Sequence, residues 1–90
     1  MSNPRPYDPD TVSVILRFYE AIDAIITRGD IRGIKTYCDL YNIDRRNFYA
    51  QKKNIDSKRL RFQISWMVPV VRDFKVNATW LLTGKGKMFK

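Results

Sequence analysis

The chain has 90 residues, 44% of them hydrophobic and 13% aromatic, with a net charge of +8; this suits one domain with one modest core that has little stability to spare. A single cysteine, no histidine and nine carboxylates in no catalytic pattern exclude an intramolecular disulfide and a Cys/His zinc centre, and they give no reason to expect an enzyme, a metal, a cofactor or a small-molecule ligand. No run of apolar residues is long enough for a membrane span, and the first ten residues lack the basic-then-apolar pattern of a signal peptide, so the expectation is a cytoplasmic protein with no membrane partner.

Residues 1–9 carry Pro4, Pro6 and Pro9 without periodicity and read as a flexible arm before a domain over residues 10–90. Asp8 or Asp10 can cap a first helix, expected over Thr11–Arg28, where Val12, Ile15, Tyr19, Ile22 and Ile26 recur at helical spacing. Val14, Phe18 and Ile25 widen the apolar face to about half the circumference, opposite Ser13, Arg17, Glu20, Ala24 and Thr27. That width exceeds what one side of a small core needs, which marks Val14, Phe18 and Ile25, together with Met88 and Phe89 near the C-terminus, as candidate dimer contacts. Gly29 is placed to end the helix in a left-handed cap. A second helix is expected over Gly33–Tyr41, with Ile34, Tyr37, Cys38, Leu40 and Tyr41 apolar. Asn42 tolerates positive φ, and Asp44 is a good N-cap for a third helix, Arg45–Lys53, that buries Phe48. Residues 54–63 have weak periodicity and read as a loop with some extended or short helical character. A fourth helix is expected over Ser65–Phe74, with Pro69 near its first turn, and a short fifth over Ala78–Leu82, capped by Asn77 and stopped at Thr83-Gly84-Lys85-Gly86. The fold class is all-α.

The segment from Ile34 to Lys53 meets the demands of a helix-turn-helix. Two short helices that cross steeply need a small residue at the crossing (Cys38), a turn residue at ease with positive φ (Asn42), an apolar plug after it (Ile43), and apolar anchors on both helices (Tyr37, Tyr41, Phe48). With Phe48 inward, helical geometry turns Arg45, Arg46, Tyr49, Ala50 and Lys53 outward. The leading end of such a helix enters the major groove. Arginine donates bidentately to guanine O6 and N7, which makes Arg45 and Arg46 candidate base readers, and Ala50 can meet a thymine methyl. Tyr49 suits either DNA contact or plain exposure. Lys52, Lys53, Lys58 and Arg59 suit phosphates; with Arg45, Arg46 and Arg61 they form a cluster of seven cations opposed only by Asp44 and Asp56.

Residues 11–89 resemble the DNA-binding domain of phage repressor-like, XRE-type (lambda repressor-like) transcription regulators. The resemblance rests on the helix-turn-helix and on the tail Phe74-Lys75-Val76-Asn77-Ala78-Thr79-Trp80-Leu81-Leu82-Thr83-Gly84-Lys85-Gly86-Lys87-Met88-Phe89, a polar-capped Trp-Leu-Leu helix followed by Thr-Gly-x-Gly and an apolar pair. It implies a five-helix lambda repressor-like fold, base contacts from Arg45, Arg46 and Ala50, positions Ile34, Lys35 and Lys53 near the DNA backbone, and a homodimer on double-stranded DNA at a palindromic operator, usually as a repressor. The chain departs from the pattern at Asn42, where glycine is commoner, at Cys38, where alanine is commoner, and at Gln51, where an apolar residue is usual. Ile34 has no polar group for a phosphate, so that duty passes to Lys35 or Arg32, with Thr36 beside them.

Two other classes fit the same composition: a protein-interaction adaptor of the same fold that turns the third helix toward an acidic partner, and an RNA-binding module. Cys38 reads as a small core residue, and Trp66 and Trp80 as core aromatics, since each falls on an apolar helical face. Gly84-x-Gly86 lacks the preceding strand and the Lys-Ser/Thr of a nucleotide loop.

Overall fold

The first helix, α1 (Pro9–Arg28), is the spine of the molecule and supplies seven buried residues: Val12, Ile15, Phe18, Tyr19, Ala21, Ile22 and Ile25. A computed structural model describes residues 9–55 and 61–90. In chain order follow α2 (Ile34–Leu40), α3 (Arg45–Lys53), a 3-10 turn (Ile64–Trp66), α4 (Val68–Arg72) and α5 (Ala78–Thr83). The fold is all-α among the described residues, apart from an isolated antiparallel bridge between Val76 and Phe89. No helix among them is long and apolar enough to cross a membrane. The expected arm over residues 1–9, and with it Asp8 as a cap, lies outside the described residues except for Pro9, which opens α1.

Local chemistry sets most boundaries. Gly29 takes φ 86°; its N–H bonds to the Ile26 carbonyl at 3.0 Å and the Asp30 N–H reaches back to Ile25 at 3.2 Å. That is the paired bonding of a Schellman cap, and it needs a residue without a Cβ penalty at positive φ. Asn42 adopts φ 56° between α2 and α3. The Asn77 side chain accepts from Thr79 N at 3.0 Å to start α5, and Gly84 closes it at φ 79°. Arg17, on the polar side of α1, donates to the Leu81 and Leu82 carbonyls at 2.8 and 3.1 Å, so a cation satisfies the open C-terminal end of α5.

Two expectations fail. The predicted helix over Ser65–Phe74 is instead a 3-10 turn followed by a five-residue α4. Pro69 is the cause: its ring clashes with the carbonyl four residues earlier and it has no N–H to donate, so the α-helix cannot extend upstream to Ser65. Three-residue bonds, Trp66 N to Gln63 O and Met67 N to Ile64 O, carry the chain to it. At the other end, Lys75 sits at φ 62°, a conformation no sequence signal marks for lysine. The second failure concerns the apolar width of α1. Phe18 and Ile25 are fully buried, and Val14 is partly buried against the core. α1 is covered from more than one side: Phe18 meets Tyr37, Phe48 and Phe62 at ring-centroid separations of 6.3, 5.8 and 5.3 Å. Phe18 and Ile25 are therefore not surplus for a dimer contact. Met88 and Phe89 also fold back: Asn77 N donates to Met88 O at 2.7 Å, and the Arg28 guanidinium lies 4.0 Å over the Phe89 ring. Apolar exposure falls elsewhere, at Leu16, Leu40, Val68, Leu82 and above all Ile64, which is 74% exposed.

Trp66, Trp80 and Cys38 are core residues. Burial, and secondarily the Asp39 carboxylate, pushes the Cys38 thiol up from its ordinary pKa, which keeps it protonated and poorly nucleophilic at neutral pH. A thiol-specific disulfide reagent at pH 7.5 is expected to leave the folded protein unmodified and to titrate one thiol per chain only after denaturation; rapid reaction of the native protein would show that Cys38 is accessible.

Candidate nucleic-acid interface

α3 is polar along most of its length and buries only Phe48 and Gln51. A nine-residue helix of this composition is unstable alone, so its placement depends on tertiary contacts. Phe48 is wholly enclosed by Phe18, Tyr19, Tyr37 and Trp66, with centroid separations of 5.8, 5.1, 6.1 and 5.4 Å. Two buried hydroxyls fasten the surroundings. Tyr19 Oη donates to the Phe48 carbonyl at 2.8 Å, and Tyr37 Oη donates to the Trp66 carbonyl at 2.6 Å. Burial pushes both phenols well above their ordinary range, so each remains a donor.

The approach from α2 is set by the turn at Asn42. Ile43 N donates to the Cys38 carbonyl at 2.9 Å, and Ile43 packs, partly buried, against the core. Asp44 then caps α3, its Oδ1 accepting from Asn47 N at 3.1 Å. Beyond α2, the Tyr41 hydroxyl donates to Asp73 Oδ2 at 2.9 Å. Arg72, with Tyr41 second, holds the Asp73 carboxyl below the usual carboxylate range.

Phe48 inward leaves Arg45, Arg46 and Tyr49 exposed, and together with Asp44 they line a shallow depression of about 470 Å³. Among the described residues neither arginine has an ion-pair partner, whereas Arg28, Lys35 and Arg72 are paired with Asp30, Asp39 and Asp73. Tyr49 is 47% exposed, and Ala50 is partly buried. Lys53 is exposed at the far end of α3. Lys52 is exposed on another side, its Nζ 6.0 Å from the Tyr19 ring centre. Arg32 is exposed before α2 and Thr36 is partly covered within it. Lys35 is exposed, but its Nζ is committed to Asp39 at 2.8 Å. Lys58 and Arg59 lie outside the described residues.

The arrangement offers two forked cations at the start of an outward-facing helix and further cations along it. It can grip a polyanion and donate to planar acceptors. Sequence reasoning did not single out Asn47, which stands beside Arg46 and accepts from Gln51 Nε2 at 2.7 Å. Nor did it find a role for Gln51; the only signal was a polar residue at a position that suits an apolar one. Compared with protein-family models, curated proteins and solved structures, the chain matches none.

Because α3 hangs on so few contacts, its cap carries weight. Asp44→Ala is expected to destabilise the domain by about 1 kcal/mol, read as a lower urea midpoint with an unchanged slope. An unchanged midpoint would mean that the cap does not hold α3.

Proposed function

We propose that the chain is a sequence-specific binder of double-stranded DNA that regulates transcription, acting as a homodimeric repressor of the lambda repressor-like type that occludes a promoter. The observation that carries this reading is the leading end of α3, where Arg45 and Arg46 are exposed, with no ion-pair partner among the described residues, on a helix whose inner face is fixed by buried Phe48. In this reading α2, the turn at Asn42 and α3 are the helix-turn-helix, and Arg45, Arg46, Tyr49 and Ala50 face base edges. Lys53, Lys52, Arg32 and Thr36 serve phosphates. Lys35 joins them by exchanging Asp39 for a phosphate oxygen, a small loss for a pair so exposed.

A homodimer would set two such helices roughly 34–36 Å apart, one turn of the duplex, and so favour a palindrome. Such a dimer also needs an apolar surface to bury. The groove lined by Val14, Ile64, Met67 and Leu82, with Val68 adjoining it, supplies one. The net charge of +8 favours association with a polyanion at long range.

Selection of bound duplexes from a random pool tests the whole reading: a recovered palindrome supports it, and a pool with no enriched sequence ends it. On the recovered operator, affinity is expected to fall on the order of a thousandfold between 50 and 200 mM salt if about six phosphates are contacted. Arg46→Ala should relax preference at one base pair by roughly 1–3 kcal/mol, whereas Lys53→Ala should weaken all sequences about equally. Unaltered operator selectivity in Arg46→Ala would remove that arginine from the reading set.

A further inference from the structure

Apart from the tyrosine hydroxyls and other largely apolar side chains, Gln51 is the one buried polar residue among the described residues, and both ends of its amide are engaged. The backbone N–H of Arg61 donates to Gln51 Oε1, and Gln51 Nε2 donates to Asn47 Oδ1 at 2.7 Å. A backbone N–H can only donate, so the Arg61 contact determines which way round the Gln51 amide lies. Its NH2 end must then face Asn47, and Asn47 Oδ1 must be the acceptor. The Asn47 NH2 group is thereby turned away from Gln51. Asn47 is partly exposed, immediately follows Arg46, and has its own backbone N–H held by Asp44.

The amide acceptors at this end of the helix are thus spoken for: Asn47 Oδ1 takes Gln51 and Gln51 Oε1 takes Arg61, while Asp44 Oδ1 takes the cap bond. What Asn47 itself has left to present is donor chemistry, one amide NH2 that adds to the two neighbouring guanidinium groups, with the second Asp44 oxygen and the Tyr49 hydroxyl at the edges. From this relay we infer that Asn47 is a further specificity-determining residue, presenting its Nδ2 donors so that the start of α3 reads acceptor-rich base edges, guanine foremost, with Gln51 as its positioning residue. The inference rests on the DNA-binding reading. Guanine offers N7 and O6, both acceptors, in the major groove, whereas the cytosine edge offers the N4 donor.

The test uses the full chain and random duplex pools with wild type, Asn47→Ala, Asn47→Asp and Gln51→Met, followed by competition between the selected site and its single-base variants. Wild type should select guanine within each half-site. Asn47→Ala should flatten the preference at one base pair by about fivefold, the low end for a base contact. Asn47→Asp keeps an acceptor for Gln51 but replaces the outward NH2 by oxygen, and should move the preference at that same base pair from guanine toward cytosine. Gln51→Met frees the Asn47 amide to turn either way. It should relax that base pair alone, leave affinity for non-specific DNA unchanged, and add nothing further when combined with Asn47→Ala; a purely structural role would lower affinity for every sequence together. The two Asn47 variants decide the matter even if Gln51→Met folds poorly. If wild type selects a site and both Asn47 variants keep every base preference, this inference is overturned while the DNA-binding reading stands. If wild type selects no site, the reading itself fails and the inference with it.

Discussion

The enclosure of Phe48 is the constraint on which the rest depends. Every feature that gives the exposed face of α3 its character follows from that one ring facing inward. The helical repeat then dictates that Arg46 and Lys53 face out and that Arg45, Asn47 and Tyr49 lie at the flanks. The ring is held by aromatic neighbours drawn from α1, α2 and the 3-10 turn, so three separate elements agree on one placement. The Tyr19 hydroxyl on the Phe48 carbonyl adds direction to what packing alone would leave free to slide along the helix axis. Removing the ring would leave a cavity at the junction of these elements, at a cost of roughly 3–5 kcal/mol, a large part of the stability of a domain this size.

The electrostatics run the opposite way to the packing. Among the described residues the ion pairs lie away from α3: Asp30 with Arg28, Asp39 with Lys35, Asp73 with Arg72. These pairs are exposed and contribute little to stability. Their consequence is distributional, since they neutralise charge on the flanks and leave the leading end of α3 positive. Asp44 sits at that end, yet its oxygen is turned to the backbone of Asn47 rather than to either arginine. One oxygen of the carboxylate nearest the arginines in sequence is instead engaged in starting the helix that displays them.

The parts of this arrangement that depend on near neighbours in the chain were legible in the sequence. Gly29, Asn42, Asp44, Asn77 and Gly84 each act within a few residues, through backbone φ or a capping bond, and each is found in the conformation its chemistry suggests. What could not be read are the features decided by distant segments. Phe18 and Ile25 look surplus on a helical wheel because the wheel does not show that α1 is packed from more than one direction. The break before α4 was visible in Pro69 but underestimated, because its ring acts on the residue four places upstream as well as on its own N–H. Lys75 at positive φ has no signal of its own; the bond from Val76 N to the Val70 carbonyl at 2.9 Å and the pairing of Val76 with the C-terminal segment hold it there. Gln51 stood out only as a mismatch, and its partner Arg61 is ten residues away. For the candidate site, the exposure of Arg45 and Arg46 follows from periodicity, whereas the orientation of the Asn47 amide follows from a tertiary contact.

A helix that must be both exposed and well placed faces a conflict, since each buried side chain that steadies it removes one that could touch a ligand. α3 resolves this with a single enclosed ring, one polar side chain that works in both directions, and a cap. Gln51 belongs to the interior by burial and to the surface by effect, because its far bond orients Asn47. An apolar residue at that position would pack at less desolvation cost, but it would leave the Asn47 amide without a fixed sense. On the proposed reading the domain gives up some core hydrophobicity for a defined pattern of donors. A polyanion bound across α3 would return part of that stability through linkage, since it binds the folded chain in preference to the unfolded one.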